Sequence, residues 1–470
     1  MIGRKAELRE LEDRYSSGKF EMITVYGRRR VGKTTLLKEF IKGRRGVYFS
    51  ATRGSLESNI SSLASKVLGT SAPTSMSPED LLGEVGRLSS DERYVLIIDE
   101  YPNLLRRDDR FSDILQEFID DIEHGSKLFL ILCGSSISIM KHQVLSSASP
   151  IYGRRTGQLE VLPMDIWDSM EFLDGFDRED MLRIYGMVGG IPLYLGMFDP
   201  RESLERNVRR LFFQESSFFR NEHEFVLIEE FDNPFTYYTV LEAMARGRTR
   251  VSEIASYCSL DDSTVHKHLK ALLATQFVEK VAPVDNPRGK NVVYRISDPF
   301  LEFQFGRILP VADYYDPDDP QATVGQVMAG LENDMGRVFE VICGQHLVRT
   351  HRGRLGRWWG SDPVAHTQEE IDLVLTKVMD GRTVGWFAEC KFKSVPTGTD
   401  VLEKLRHRAS LVSGFDETRL VLYSKSGFTG GLTGDPTVEL YGLDDVLRRR
   451  RAGEATPGYG YRIWTSTVIV

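Results

Sequence analysis

Short apolar runs alternate with amphipathic stretches through the first third of the chain. Residues 22–26, 47–50, 94–98, 128–133 and 158–162 read as strands. The helical patterns between them give the βαβ rhythm of a parallel sheet covered by helices. From about residue 165 to 230 the pattern turns helical, interrupted by Gly189-Gly190-Ile191-Pro192. Residues 233–299 predict a compact helical segment followed by a hairpin. Residues 310–320, with four Asp and three Pro, predict a linker. Beyond it, residues 334–424 join a helix to long apolar strands, which predicts a further α/β domain.

Composition narrows this picture. A length of 470 residues implies about three or four domains. With 41% apolar residues the chain has enough material for several cores, which excludes a disordered chain. The 60 basic and 68 acidic side chains leave a formal charge of −8. That excludes a uniformly basic nucleic-acid coat but leaves room for a local basic face. Cys133, Cys258, Cys343 and Cys390 are scattered, against a disulfide framework or a structural zinc site. The charged opening MIGRKAELRELEDRY predicts no secretory leader. No apolar run approaches the roughly 20 residues that span a bilayer. The expectation is a soluble cytoplasmic protein with no membrane segment.

Gly27-Arg28-Arg29-Arg30-Val31-Gly32-Lys33-Thr34 fits G-x-x-x-x-G-K-[ST], between a predicted strand and a predicted helix. The loop's backbone N–H groups and the helix N-terminus suit phosphate oxygens. Lys33 would reach the β- and γ-phosphates, the Thr34 hydroxyl would hold Mg²⁺, and Thr35 follows in the same turn. Tyr94-Val95-Leu96-Ile97-Ile98-Asp99-Glu100 is a buried strand ending in two carboxylates. Asp99 would bind Mg²⁺ through water, and Glu100 would orient or deprotonate the attacking water.

These segments resemble the archaeal-type ATPase family, a prokaryotic branch of the AAA+ and STAND-like P-loop NTPases. Ile2-Gly3-Arg4-Lys5-Ala6-Glu7-Leu8 is similar to that family's opening motif, which lies near the adenine. Ser135, after the fourth strand, resembles its sensor-1 position. Tyr152-Gly153-Arg154-Arg155-Thr156 stands where such proteins carry a basic residue, so the resemblance implies Arg154 or Arg155 as an arginine finger acting across a homo-oligomer. Pro192 resembles the Gly-x-Pro turn of the helical lid near the nucleotide. The resemblance covers roughly residues 1–230 and implies ATP as ligand.

Residues 251–273 have helix–turn–helix character. Val265, Leu269 and Leu272 recur at helical spacing and would face a core, leaving Ser263, His266, Lys267 and Lys270 on the opposite face. That short, polar, basic face suits a helix entering the DNA major groove. Residues 277–281 and 292–296 read as a hairpin whose tip carries Arg288 and Lys290, a wing able to touch phosphates. Protein docking is the other use of such a module.

The last constellation is Glu340, then Asp372, then Glu389-Cys390-Lys391. Residues two apart on a strand share a face, so Glu389 and Lys391 point together. Asp372 and Glu389 would bind Mg²⁺, Lys391 would position a water, and Glu340 would add a ligand or water contact. This resembles the PD-(D/E)XK nuclease superfamily, with Ile371 in place of the nominal proline. Relatives of that superfamily keep the fold with or without cleavage. Upstream, Arg349 to Trp359 interleaves basic and aromatic residues, either a phosphate-tracking surface or buried tryptophans with solvated arginines.

The expected fold class is α/β: a P-loop NTPase parallel sheet with a helical lid, a winged helix–turn–helix and a C-terminal α/β restriction-endonuclease-like domain. The expected divisions are 1–162 ATPase core, 163–231 lid, 232–309 winged helix, 325–430 nuclease-like domain and 431–470 extension. The expected function is an ATP-hydrolysing protein that binds DNA, with Mg²⁺-dependent cleavage of that DNA left open by the nuclease-like fold. The alternative is a nucleotide-dependent DNA-binding regulator, or a STAND-like switch, on an inactive nuclease-fold scaffold.

Overall fold

The computed structural model describes residues 2–69, 76–105, 110–287, 289 and 291–449. They form two compact units: residues 2–163 with Ile191–Leu193, and residues 164–190 with 194–449.

The first unit is built on five parallel strands: β1 (Glu21–Tyr26), β2 (Gly46–Ser50), β3 (Tyr94–Asp99), β4 (Leu128–Gly134) and β5 (Gly157–Glu160). Their order is β2-β3-β4-β1-β5. Every residue of β3 and β4 is buried, as expected of central strands with helices on both faces. The register sets Ser50 beside Asp99 and Tyr26 beside Gly134. The carboxyl ends of β1, β3 and β4 therefore lie together at one edge, where an open α/β sheet binds ligands. β5 is shorter than expected, although Val161 N–H still bonds the Tyr26 carbonyl at 2.7 Å.

The second unit holds a two-stranded hairpin, β6 (Val278–Val281) with β7 (Val293–Ile296), and a mixed five-stranded sheet. That sheet contains β8 (Arg354–Ser361), β9 (Gln368–Met379), β10 (Arg382–Lys391), β11 (Glu417–Ser424) and β12 (Val438–Gly442), in the order β12-β11-β10-β9-β8. β8, β9 and β10 are antiparallel neighbours, whereas β10, β11 and β12 run parallel. A core of Trp358, Phe387, Leu402, Leu405 and Leu422 lies between this sheet and the helix Thr399–Ser410.

One helix differs from the expectation. The helix carrying Glu340 begins at Pro320 rather than near residue 334 and runs 32 residues to His351. Proline at the first turn starts a helix at no hydrogen-bond cost. Buried Val324, Val327 and Leu331 then continue the apolar stripe upstream of the expected start, meeting it at Met335. Only the short stretch before Pro320 behaves as a linker. Among the described residues no helix is long and apolar enough to cross a membrane.

Candidate functional site

The phosphate loop joins β1 to the helix Lys33–Ile41. Gly27 adopts φ 150°, and a Cβ there would sit 2.2 Å from the Val161 carbonyl oxygen, so only glycine fits. Gly32, with φ 96°, caps the helix in a left-handed conformation. Between them Arg28 and Val31 are buried, whereas Arg29 is exposed and Arg30 partly so. The buried Lys33 ammonium donates to the Gly27 carbonyl at 2.7 Å and the Arg28 carbonyl at 2.8 Å. It thus spans the loop that would cradle phosphates. Thr34 and Thr35 lie exposed in the first helical turn. Pro192 approaches the same loop: its Cγ is 4.0 Å from where a Cβ on Gly32 would stand.

The Thr34 hydroxyl donates to Asp99 Oδ2 at 2.8 Å, joining the loop to the end of β3. The same oxygen accepts from the Tyr48 hydroxyl on β2, and Asp99 Oδ1 accepts from the Glu100 N–H at 3.0 Å. Burial first, then the bond to Asp99, pushes the Tyr48 hydroxyl above its ordinary range. Glu100 has φ 54°, a left-handed conformation that side chains avoid. It turns the carboxylate toward Ser135, whose hydroxyl donates to Glu100 Oε2 at 2.9 Å. Arg4, in the N-terminal motif, is buried and donates to the carbonyls of Val31 at 2.6 Å and Leu162 at 2.7 Å. It is therefore a brace on the phosphate loop's backbone. Arg154 forms a two-pronged ion pair with Asp120 at 2.6 and 2.7 Å. Arg155 lies 5.0 Å from the centre of the Tyr152 ring.

In the second unit the helix Asp262–Ala274 buries Val265, Leu269 and Leu272. Ser263, His266, Lys267 and Lys270 are exposed, as the helical spacing requires. The Asp261 carboxylate caps the helix by accepting from Thr264 N–H at 2.9 Å. Arg288 and Lys290 lie outside the described residues. The hairpin's connecting segment does not stand alone. Val284 N–H bonds the Arg357 carbonyl at 3.0 Å, and the Trp358 indole N–H donates to Asp285 at 2.9 Å. The segment is thereby fastened to β8, the edge strand of the mixed sheet. Trp358 is 3% exposed, and Arg349 stacks on Trp167 at 4.1 Å. Of the two readings of this basic–aromatic stretch, the buried tryptophan is the one observed for Trp358.

The third cluster sits on β9 and β10. The pairing of Ala388 with Leu373, carried one residue on, sets Asp372 opposite Glu389. Asp372 Oδ2 accepts from the Cys390 N–H at 2.8 Å. Burial first, and then Glu389 and Glu340, pushes the Asp372 carboxyl well above the usual carboxylate range. Glu389 is 5% exposed and accepts from the Lys391 ammonium at 2.5 Å. Burial alone would lower the Lys391 ammonium, but Glu389 outweighs it and holds it above its ordinary value. Arg408, on the helix Thr399–Ser410, also reaches both Glu389 oxygens at 3.2 Å. Glu340 faces the cluster from the long helix and pairs with Arg357 at 2.7 Å. Among the described residues, no group of three or more His, Cys, Asp or Glu side chains is placed to hold a metal ion. Sequence reading missed Tyr48 and Arg408, which approach these carboxylates from other elements and carry no local motif; Arg357, singled out within the basic–aromatic stretch, is paired with Glu340 rather than solvated.

Three families match parts of the chain. An ATPase domain predominantly from Archaea matches residues 1–198, and the IclR helix-turn-helix domain matches residues 238–282. A family of archaeal and bacterial proteins of unknown function matches residues 305–404. An uncharacterized protein of Methanocaldococcus jannaschii is 31% identical over 429 residues, covering 88% of this chain and 93% of its own. An uncharacterized ATP-binding protein of the same organism is 46% identical over 44 residues, 9% of this chain and 75% of its own. Among solved structures, a Walker-type ATPase of Pyrococcus abyssi is similar with a TM-score of 0.49 and 22% identity. It covers 65% of this chain and 96% of its own.

Proposed function

We propose, for a chain that belongs to the family of ATPases found predominantly in Archaea, that ATP turnover governs its engagement of DNA. The protein is an ATPase, and the residues of the phosphate loop divide the work. Backbone N–H groups of residues 27–34 hold the phosphates, Lys33 leaves its carbonyl partners to meet the β- and γ-phosphates, and Glu100 aligns the attacking water. The oxygen donors of Thr34 and Asp99, already 2.8 Å apart, fit a Mg²⁺ ion. When bound, that ion offsets charge on the β- and γ-phosphates. Ser135 holds Glu100 in place. In a homo-oligomer, Arg154 or Arg155 serves a neighbouring copy's nucleotide, and Arg154 must first leave Asp120. The working parts are the core 1–162, lid 163–231, winged helix 232–309, nuclease-like domain 325–430 and extension 431–470.

The observation that carries the DNA reading is the exposed face of Ser263, His266, Lys267 and Lys270, opposite a buried apolar stripe. The match to a helix-turn-helix family over residues 238–282 supports it. Fluorescence anisotropy on duplex DNA tests it. Affinity should fall steeply with salt, and Lys267→Glu with Lys270→Glu should weaken binding at least about tenfold while reducing the salt slope by about 2. ATP turnover should persist in that variant. Unchanged affinity in the variant, or no binding by the wild type at low salt, sinks the DNA reading.

Cleavage is the second reading, favoured by the pairing that sets Asp372 opposite Glu389 with Lys391 on the same side. As placed, the cluster does not fit a Mg²⁺ ion, because Glu389 already holds two cations. In this state the domain is a nuclease-fold scaffold for a nucleotide-dependent DNA-binding regulator.

A further inference from the structure

Deepening that reading of the nuclease-like cluster, we infer that Arg408 is the resident counter-ion of Glu389 and competes with divalent cations for it. The position of Arg408 is built rather than incidental. Its helix is anchored by buried Leu402, Leu405 and Ala409, and the guanidinium leaves that helix toward β9 and β10. Its Nη1 lies 3.2 Å from both Glu389 oxygens, and its Nε donates to Glu369 Oε2 at 2.8 Å. A planar guanidinium makes both contacts from one rigid fork, which a lysine ammonium cannot copy.

Three of the cluster's four carboxylates then have a cation in contact. Glu369 and Glu389 are matched by Arg408 and Lys391, and Glu340 is matched by Arg357. Asp372 is the cluster carboxylate whose direct partner is a neutral N–H. A divalent ion arriving here finds one carboxylate without a cation in contact, and must displace Arg408 to gain Glu389 Oε2, the oxygen that Lys391 leaves to the guanidinium. Arg408 keeps Glu369 when displaced, so the cost falls on the nearly buried Glu389, which gives up one of its two cations. Arg408 thus sets the metal affinity of the cluster, while the fold of the cluster stays intact.

The test uses the full nucleotide-free chain and Mn²⁺ as the probe, with bound ion counted by electron paramagnetic resonance. Wild type should bind Mn²⁺ weakly at this cluster, and Arg408→Met should bind it at least about tenfold more tightly, since one competing charge is gone. Adding Asp372→Asn to Arg408→Met should remove the gain and so place it at this site. Arg408→Lys keeps the charge but loses the fork, and should show an intermediate gain. If Arg408→Met fails to fold, the lysine variant decides: no gain overturns the inference. It is equally overturned if folded Arg408→Met matches the wild type, or if the gain survives Asp372→Asn. DNA anisotropy on the same proteins keeps the two ideas apart, because DNA affinity depends on Lys267 and Lys270 and should not follow Arg408.

Discussion

Two acidic clusters in this chain share an inventory and differ in their partners. At the end of β3, Asp99 is met by the hydroxyls of Thr34 and Tyr48, and Glu100 by the hydroxyl of Ser135. On β10, Glu389 is met by the ammonium of Lys391 and the guanidinium of Arg408. Hydroxyl donors orient a carboxylate and leave its full negative charge for an incoming cation. Cationic donors orient it equally well but neutralise it. The first cluster thus keeps its charge, as the proposed nucleotide site requires, whereas Glu389 in the second is already neutralised. Motif matching alone scores the two alike, and their partners separate them.

The largest effect is expected at Glu100. If its charge is kept available to act on water, Glu100→Gln should bind ATP normally yet lower turnover by about 100-fold, the scale of lost general-base assistance. A coupled turnover assay beside a nucleotide-binding titration measures both. Turnover within a few-fold of wild type would remove Glu100 from the chemistry and leave Ser135 holding a spectator.

Tyr48 gives a smaller and more diagnostic effect. Its hydroxyl shares Asp99 Oδ2 with Thr34, so Tyr48 acts through Asp99 as a positioning residue. Losing one hydrogen bond to a charged group costs about 1.5–3 kcal/mol. Tyr48→Phe should therefore lower turnover by about tenfold and raise the Mg²⁺ concentration needed for half-maximal rate. Nucleotide affinity in EDTA should stay the same. A lowered rate with an unmoved Mg²⁺ requirement would reduce Tyr48 to a packing role.

The contrast between the clusters also explains what was legible in the chain. The phosphate loop is eight consecutive residues, and Asp99 and Glu100 end one apolar strand, so local spacing carried both. The polar face of Asp262–Ala274 was legible for the same reason, because helical period alone separates Lys267 from Leu269. Tyr48 was not, because β2 meets Asp99 only through the pairing of distant strands. Arg408 lies 19 residues beyond Glu389 on a helix, with nothing in its neighbours to announce the contact. The fastening of Asp285 to Trp358 spans 73 residues and was equally hidden. Motif residues and the partners within their own motifs, such as Lys391, were visible; Tyr48 and Arg408, brought in by other elements, were not.

The smallest expected effect concerns how cations are shared around the second cluster. Arg357 pairs with Glu340 at 2.7 Å, yet Glu279 of β6 also lies in its field, with Arg295, Arg337 and Glu302 nearby. Burial pushes the Glu279 carboxyl up to about 8, against the pull of Arg357 and Arg295. A neutral Glu279 leaves Arg357 to Glu340, which keeps that carboxylate paired. The unfolded carboxyl titrates near 4.3, so the folded value is the raised one. Its contribution to stability is therefore complete below about pH 4 and is lost as pH rises toward 8. Glu279→Gln fixes the neutral form and should be about 1 kcal/mol more stable than wild type at pH 8, with the advantage vanishing near pH 4; partial exposure keeps the figure small. Urea midpoints of both proteins at the two pH values measure it. An advantage that does not change with pH would mean that Glu279 is charged in the fold and competes with Glu340 for Arg357.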